Sequence, residues 1–262
     1  MVIPCIDMKI ILIGAGNLAT QLAVALQKKG MTPAYIYSRT RESAEQLSER
    51  LRDVPYSTDI SRVPTDGDLY IFAVKDSALL DLVSRMPSNR GLWVHTAGSM
   101  DMEVFAPYTA RYGVFYPMQT FSKERETDFD DIPIFVETNH TDDTERLQKL
   151  AGRLSTKVYE ATSEQRKYLH LAAVFACNFS NHLYALCDRI LSEHGLAFDT
   201  MLPRIRETAA KVADMPPAQA QTGPAIRYDK NVIDKQMALL SDPTMRQIYD
   251  LMSRSIHETN KH

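Results

Sequence analysis

The chain has 262 residues, of which 44% are hydrophobic and 24% are charged. This balance is typical of a globular protein with a large core, and the length suits one large or two ordinary domains. The net charge of −3 predicts no general attraction to nucleic acid or to an anionic membrane. The longest apolar runs are shorter than the roughly 20 residues of a membrane span.

The N-terminus and the cysteines indicate the compartment. The first segment, MVIPCID, lacks the basic stretch and long apolar core of a signal peptide, so we predict a short extension before the first strand. The three cysteines, Cys5, Cys177 and Cys187, include no C-x-x-C pair. An odd number of thiols favours a reducing cytoplasm over a disulfide or zinc framework. The histidines show no metal-ligand spacing, and we predict no metal site.

Short apolar runs alternate with helix-like segments through the first part of the chain. Strands are predicted at residues 9–13, 34–37, 68–74, 92–95, 114–116 and 132–137. Helices are predicted at residues 17–29, 41–51, 77–86 and 141–154. This alternation predicts βαβ units and a mainly parallel sheet.

The pattern changes near Ala161. From Ser163 onward it is helical almost throughout, with breaks at Gly195, at Pro216 and at Gly223. We therefore predict an α/β domain over residues 1–161 and an all-α domain over residues 162–262. The helical segment offers more apolar faces than it can cover, for example at Phe175, Phe179, Met237 and Leu240, which predicts a homodimer formed through the C-terminal helices.

A glycine-rich turn lies between the first predicted strand and helix, in the pattern Gly14-x-Gly16-x-x-Ala19. Gly14 permits a tight turn, Gly16 leaves room for a pyrophosphate, and Ala19 lets the helix pack closely on the strand. The helix N-terminus, at Asn17 and Leu18, offers free N–H groups to phosphates. The alternative is a tight turn that binds nothing, but the strand–turn–helix context favours a Rossmann-type dinucleotide site.

The end of the second strand selects the dinucleotide. An NAD site places Asp or Glu there, whereas this chain has Ser38, Arg39 and Thr40. A guanidinium flanked by two hydroxyls is suited to a 2′-phosphate, so we predict NADP as the cofactor. The alternative is a surface arginine beside a helix that Ser38 or Thr40 caps.

Several motifs together carry a family resemblance: ILIGAGNLA, YSRT, AVKDSAL, HTAGSM, YPMQTFS, HLAAVFACNFSNHLYAL and TGPAIRYDK. The first three resemble the cofactor domains of pyrroline-5-carboxylate reductases and coenzyme-F420-type NADP oxidoreductases. The whole set resembles a family of Rossmann-type oxidoreductases with a C-terminal helical domain of unknown function. The resemblance implies that the loop of Ala73, Val74 and Lys75 passes the nicotinamide side of the cofactor.

Related β-hydroxyacid dehydrogenases carry a Lys and an Asn on the first long helix after the cofactor domain, whereas this chain has His170 and Asn178 in the comparable region. At 100° per residue, a predicted helix over residues 164–191 places His170, Asn178 and Asn181 on one polar stripe. The stripe contains apolar residues too, which favours the wall of a cleft, although a solvated face or a helix–helix interface would also explain it. We predict that His170 exchanges the proton that accompanies hydride transfer and that Asn178 orients a carbonyl or imine.

Substrate contacts are predicted from loops and from the helical domain. Ser99 and Gln119 follow predicted strands and should face the crevice at the strand ends, although both also suit ordinary loops. Asn181 lies on the polar stripe. Arg227 lies in a Gly-Pro loop where it can meet a substrate carboxylate, the alternative being a pair with Asp229 or with a carbonyl.

Two functions remain open from the sequence. The first is an NADP(H)-dependent oxidoreductase that transfers hydride to or from a carbonyl or imine carbon of a small, anionic substrate, with the active site between the two domains. The second is a non-catalytic NADPH-binding sensor or interaction protein, in which the helical domain binds a partner.

Overall fold

The computed structural model describes residues 8–260. The predicted N-terminal extension and Cys5 lie outside these residues. The eight strands are β1 (Ile10–Ile13), β2 (Tyr35–Tyr37), β3 (Tyr56–Ser57), β4 (Leu69–Phe72), β5 (Leu92–His95), β6 (Tyr112–Pro117), β7 (Ile134–Thr138) and β8 (Val158–Glu160).

All eight strands form one sheet, in the order β3-β2-β1-β4-β5-β6-β7-β8. The first six strands in this order, β3 through β6, are parallel to one another. Strand β7 runs antiparallel to β6, and β8 runs parallel to β7. The first six strands have the Rossmann order, which reverses between β1 and β4. In such sheets the ligand crevice lies beyond the carboxyl ends of the strands at this reversal.

The helices of the first part of the chain are α1 (Asn17–Lys28), α2 (Arg41–Arg50), α3 (Asp76–Arg85), α4 (Thr141–Leu154) and α5 (Ser163–Ala173). They cover a sheet whose central strands are buried on both faces. In β1, Ile10 and Leu12 belong to one hydrophobic cluster, and Ile11 and Ile13 belong to the other. Because successive side chains of a strand point to opposite faces, a continuous apolar run is required wherever helices pack on both.

The predicted α/β fold with a mainly parallel sheet is confirmed. The six predicted strands and four predicted helices of residues 9–154 are all present, with ends shifted by at most two residues. Two strands, β3 and β8, are not predicted from the sequence, because each has only two or three residues and little hydrophobic pattern. Both lie at the edges of the sheet.

The chain divides into two compact units, one ending at Cys177 and the other beginning at Asn178. The domain boundary that the sequence predicts near Ala161 directly follows β8 and stays a prediction. The second unit is helical, as predicted, with no strand among residues 178–260. Its helices are α6 (Ser180–Glu193), α7 (Leu202–Asp214), α8 (Pro217–Ala220), α9 (Lys230–Ala238) and α10 (Pro243–Thr259).

The helix predicted over residues 164–191 is not one regular α-helix. A π-helical segment, Val174–Phe179, joins α5 to α6. A π-helix has more residues per turn than an α-helix, so a count at 100° per residue does not hold across it. The predicted stripe that relates His170 to Asn178 and Asn181 is therefore wrong in its geometry.

Among residues 8–260, no helix combines the length and the apolar character that crossing a lipid bilayer requires.

Candidate active site

Gly14 forms the tight turn after β1. Its φ is +125°, a backbone conformation that side chains rarely adopt. Its N–H donates a hydrogen bond of 2.7 Å to the carbonyl of Tyr37, which joins the turn to β2. A Cβ atom at Gly14 would lie 2.2 Å from the carbonyl oxygen of Ala73. The turn after β1 and the loop after β4 are therefore in direct backbone contact at the reversal of strand order.

Gly16 is open where Gly14 is crowded. A Cβ atom at Gly16 would meet no atom within 4 Å, and the residue occupies the N-cap of α1 without any side-chain cap. The first turn of α1 carries no acidic residue. The N–H groups at Asn17 and Leu18 thus begin a helix with a positive dipole end and accessible space in front of it, which suits a phosphate group.

A loop after β6 packs along α1. The Asn17 side chain donates to the carbonyl of Phe121 over 3.2 Å, and the Gln21 side chain donates to that of Ser122 over 2.7 Å. Gln21 also accepts from the N–H of Thr127 over 3.1 Å. The side chain of Asn17 is therefore used to hold this loop, and its predicted contact with the cofactor rests on its backbone.

The predicted selector of the dinucleotide lies at the end of β2. Ser38 is buried, with its N–H bonded to the carbonyl of Ser57, while Arg39 and Thr40 are exposed. Thr40 holds the N-cap position of α2, yet its side chain makes no capping bond. Within residues 8–260, Arg39 forms no ion pair, whereas its neighbour Arg41 is paired with Glu45. The Thr40 hydroxyl and the Arg39 guanidinium are both available to a ligand.

The loops after β4 and β5 meet in front of the sheet. Val74 is half-buried against the glycine turn, and Lys75 is exposed at the N-cap of α3. The hydroxyl of Ser99 donates to the carboxylate of Asp76, the first residue of α3. The Ser99 hydroxyl is thus bonded to a carboxylate that is not among the predicted site residues, and its contact with a substrate stays a prediction.

His170 projects from α5 onto these same strand ends. Its Nδ1 lies 3.2 Å from the hydroxyl oxygen of Tyr116, near the carboxyl end of β6, and the two rings meet edge to face. A Cβ atom at Gly98 would lie 2.7 Å from Nδ1, so the imidazole rests on the backbone of the loop after β5. Burial raises the pKa of Tyr116, whose hydroxyl therefore stays protonated around neutral pH.

Arg166, one turn before His170, fixes α5 to the sheet. Its guanidinium is fully buried and donates to the carboxylate of Glu137 on β7 over 2.6 Å. It also donates to the carbonyls of Met100 and Ala97, over 2.6 Å and 3.3 Å. Glu137 in turn accepts from the N–H and the hydroxyl of Ser163. This Arg166–Glu137 clamp ties the first turn of α5, β7 and the loop around Gly98 together.

His95 ends β5 but faces the core. It is fully buried, and burial together with the charge of Arg166 lowers its pKa to about 4. Its Nδ1 accepts from the N–H of Ala97 over 3.2 Å, and its Nε2 lies 3.4 Å from the carbonyl of Asp101. A neutral histidine with both nitrogens used shapes the loop and offers no proton to the crevice.

The remaining predicted contacts are separate from this cluster or belong to the second unit. Gln119 is exposed, and its side chain accepts from the N–H of Thr120. Asn178, Asn181 and Arg227 are exposed in the second unit. Asp229 caps α9 and, within the described chain, forms no ion pair with Arg227. The roles of all four predicted residues stay predictions.

Three residues that contact or support His170 are not among the predicted site residues. In the sequence, Tyr116 ends a predicted strand and begins the YPMQTFS motif, while Arg166 and Glu137 belong to none of the quoted motifs. One signal was present: Arg166 and His170 are four residues apart and therefore share a helix face.

Within residues 8–260, no cluster of three or more His, Cys, Asp or Glu side chains is arranged to hold a metal ion.

The fold and the glycine turn define a Rossmann-like domain followed by a helical domain. Family models agree: residues 3–118 match a Rossmann-like domain and residues 132–256 match a domain of unknown function, DUF2520. No curated protein matches the chain in sequence.

Solved structures give the family. A candidate NADP oxidoreductase from Bacteroides fragilis is 52% identical, with a TM-score of 0.90 over 96% of this chain and 98% of its own. The chain belongs to the family of this protein, which confirms the resemblance to Rossmann-type oxidoreductases with a C-terminal domain of unknown function.

Two more distant structures share the fold. A Thermotoga maritima protein is 22% identical, with a TM-score of 0.79 over 97% of this chain and 100% of its own. A reductive aminase from Aspergillus terreus, solved with NADPH and ethyl levulinate, is 17% identical, with a TM-score of 0.72 over 96% of this chain and 94% of its own.

Proposed function

We propose that this protein is an NADP(H)-dependent oxidoreductase acting on a carbonyl or imine carbon. The proposal rests on two features at neighbouring strand ends: the open helix N-terminus at Gly16, and the exposed Arg39, which forms no ion pair among residues 8–260. The first suits a pyrophosphate and the second suits a 2′-phosphate. The 52% identical protein described as a candidate NADP oxidoreductase supports the same cofactor.

Three sets of residues bind different parts of this cofactor. The N–H groups at Gly16, Asn17 and Leu18 take the pyrophosphate, and Ser38, Arg39 and Thr40 take the phosphorylated ribose. The loop of Ala73, Val74 and Lys75 borders the nicotinamide, since it is in contact with the glycine turn at the carboxyl end of β4. When bound, NADPH supplies a hydride from C4 of its nicotinamide.

His170 supplies the proton that accompanies reduction. It is the exposed imidazole that lies on the loop around Gly98, at the carboxyl ends of the central strands. Histidine is the commonest general acid in enzymes because its side chain changes protonation state near neutral pH. Asn178 orients the carbonyl or imine through its side-chain amide.

The substrate is a small molecule with an anionic group. Arg227 is an exposed guanidinium in a Gly-Pro loop, without an ion pair among the described residues, and it can bind a carboxylate through two parallel hydrogen bonds. Ser99, Gln119 and Asn181 complete the proposed substrate contacts.

The test is NADPH oxidation against a panel of keto acids, imino acids and aldehydes. On the substrate found, His170→Ala should lower turnover by about 10²–10⁴, the usual loss of a general acid, while NADPH affinity stays nearly unchanged. Asn178→Ala should act in the same direction but less strongly. Wild-type turnover in His170→Ala would refute the assigned proton donor.

We also infer a homodimer formed through the C-terminal helices. Among residues 178–260, the buried side chains are only Ile233, Met245 and Ser253. Large apolar side chains are exposed instead, including Leu239 at 80% and Leu251 at 61%. A second copy of the chain would cover this apolar surface.

We place the protein in the cytoplasm. Cys177 and Cys187 are both free thiols. Unpaired thiols persist in a reducing compartment, which is also where NADPH is used as a reductant.

A further inference from the structure

Tyr116 is close to the proposed proton donor and has no part in the proposed function. It is 7% exposed, near the end of β6, and its hydroxyl oxygen lies 3.2 Å from Nδ1 of His170. The contact uses one ring nitrogen of His170 and leaves Nε2 for a substrate. Which nitrogen of a histidine exchanges a proton is set by the hydrogen bond that the other one makes.

Resting on the proposed function, we propose that Tyr116 is a positioning residue that keeps the proton of neutral His170 on Nδ1, so that Nε2 exchanges the catalytic proton. In this arrangement Nδ1–H donates to the Tyr116 oxygen both before and after proton transfer. Only Nε2 gains and loses a proton.

The surroundings support a fixed ring orientation. The Gly98 backbone lies against the Nδ1 side of the imidazole, where even a Cβ atom would come within 2.7 Å of Nδ1. Arg166 holds that loop through the carbonyls of Ala97 and Met100 and holds α5 through Glu137. The Gly98 backbone thus limits the positions that the Nδ1 side of the ring can take, while the rest of the exposed ring faces away from it.

The chemistry balances at the substrate. The N–H bond at Nε2 of the imidazolium breaks, and an O–H bond forms on the substrate oxygen whose carbon receives the hydride. The imidazolium becomes a neutral imidazole, with its remaining proton on Nδ1 and a lone pair on Nε2. Solvent then returns a proton to Nε2, and the Tyr116 hydroxyl keeps its own proton throughout.

The test measures the tautomer directly. In protein labelled with ¹⁵N-histidine, long-range ¹H–¹⁵N spectra of neutral His170 report which nitrogen carries the proton, with His170→Gln identifying the signals. We expect Nδ1–H in the wild type and a shift toward Nε2–H in Tyr116→Phe. Tyr112→Phe is the matched control, because Tyr112 lies on the same strand, is 8% exposed and bonds Glu103 instead. It should leave the His170 tautomer unchanged.

Turnover separates positioning from direct proton donation. Tyr116→Phe should lower kcat by about tenfold to a hundredfold, less than the loss of the acid itself, with little change in KM. An Nε2–H tautomer in the wild type, or an unchanged tautomer in Tyr116→Phe, would overturn the proposal. A loss of turnover as large as that of His170→Ala, with the tautomer unchanged, would also overturn it and make Tyr116 the donor. The spectra need no substrate, so failure of NADPH binding would count against the proposed function alone.

Discussion

Gly14 and Gly16 lie two residues apart and are required for different physical reasons. At Gly14 the folded chain itself leaves no space, because the residue has a positive φ and is in contact with the Ala73 carbonyl. At Gly16 the chain leaves the space open. The structure shows that the fold requires glycine at Gly14, and we propose that a bound ligand requires it at Gly16.

Alanine at each position should separate these two requirements. Gly14→Ala should destabilise the unliganded protein by about 3 kcal/mol or more, because it adds backbone strain and a steric clash. Gly16→Ala should cost at most about 1 kcal/mol, the effect of a poorer N-cap. It should nevertheless weaken NADPH binding about tenfold or more, or about 1.4 kcal/mol. Thermal unfolding and calorimetric titration with NADPH measure the two effects; equal affinity of Gly16→Ala and the wild type would refute the phosphate site.

The site residues that can be proposed from the sequence alone are those whose chemistry follows from a local pattern. Gly14, Gly16 and Arg39 are of this kind, because a strand–turn–helix motif sets their places along the chain. Tyr116 could not be predicted in the same way. Its contact with His170 joins residues 54 positions apart, and no local pattern indicates which strand end α5 will meet.

At the level of elements, α5 is fixed to the sheet by a charged pair at its first turn. Arg166 on α5 donates to the carboxylate of Glu137 on β7. The other hydrogen bonds of the guanidinium go to backbone carbonyls of the Gly98 loop and to Ser163. The pair thus sets the place of His170 one turn later. A buried guanidinium is costly unless every charge and donor finds a partner, and here most of them do.

Removing one partner of this clamp should be strongly destabilising. Arg166→Met leaves the Glu137 carboxylate without its countercharge and should lower stability by about 3–5 kcal/mol. Arg41→Met is the control, because Arg41 forms an exposed pair with Glu45, and such pairs contribute at most about 1 kcal/mol. Urea unfolding compares the two variants. If Arg166→Met does not fold, Arg166→Lys should still show an intermediate loss; equal stability of all three variants would contradict the clamp.

Helices and strands were predicted well where hydrophobic periodicity runs for several residues and poorly where it does not. The short edge strands β3 and β8 have no such signal. The sequence also predicts a continuous helix where the structure has the π-helical segment Val174–Phe179. A change from i→i+4 to i→i+5 bonding leaves the residue types of a helix unaltered, so periodicity alone cannot reveal it.

For the whole molecule, the two units differ in how much core they build. The unit that ends at Cys177 contains a sheet buried on both faces, whereas the described residues of the second unit bury almost no side chains. A helical unit of this kind needs further apolar contact to be stable. The prediction of a homodimer follows from this imbalance.

Light scattering at micromolar concentration should give about twice the 29.7 kDa mass of one chain. Leu239→Asp combined with Leu251→Asp should shift the protein toward the monomer, because charges would replace apolar side chains at the covered surface. Leu80→Asp is the control, since Leu80 is 54% exposed on α3 in the other unit. A monomer mass for the wild type would count decisively against the dimer.

We propose that the chain binds NADP(H) in preference to NAD(H), and calorimetric titration of the wild type with NADPH and with NADH measures this preference directly. A charged hydrogen bond contributes about 1.5–3 kcal/mol, so NADPH should bind roughly 10- to 150-fold more tightly. Arg39→Ala should erase this preference, while Arg41→Ala, which removes the neighbouring arginine already paired with Glu45, should keep it. Equal affinity of the wild type for NADPH and NADH would refute the proposed 2′-phosphate site at Arg39.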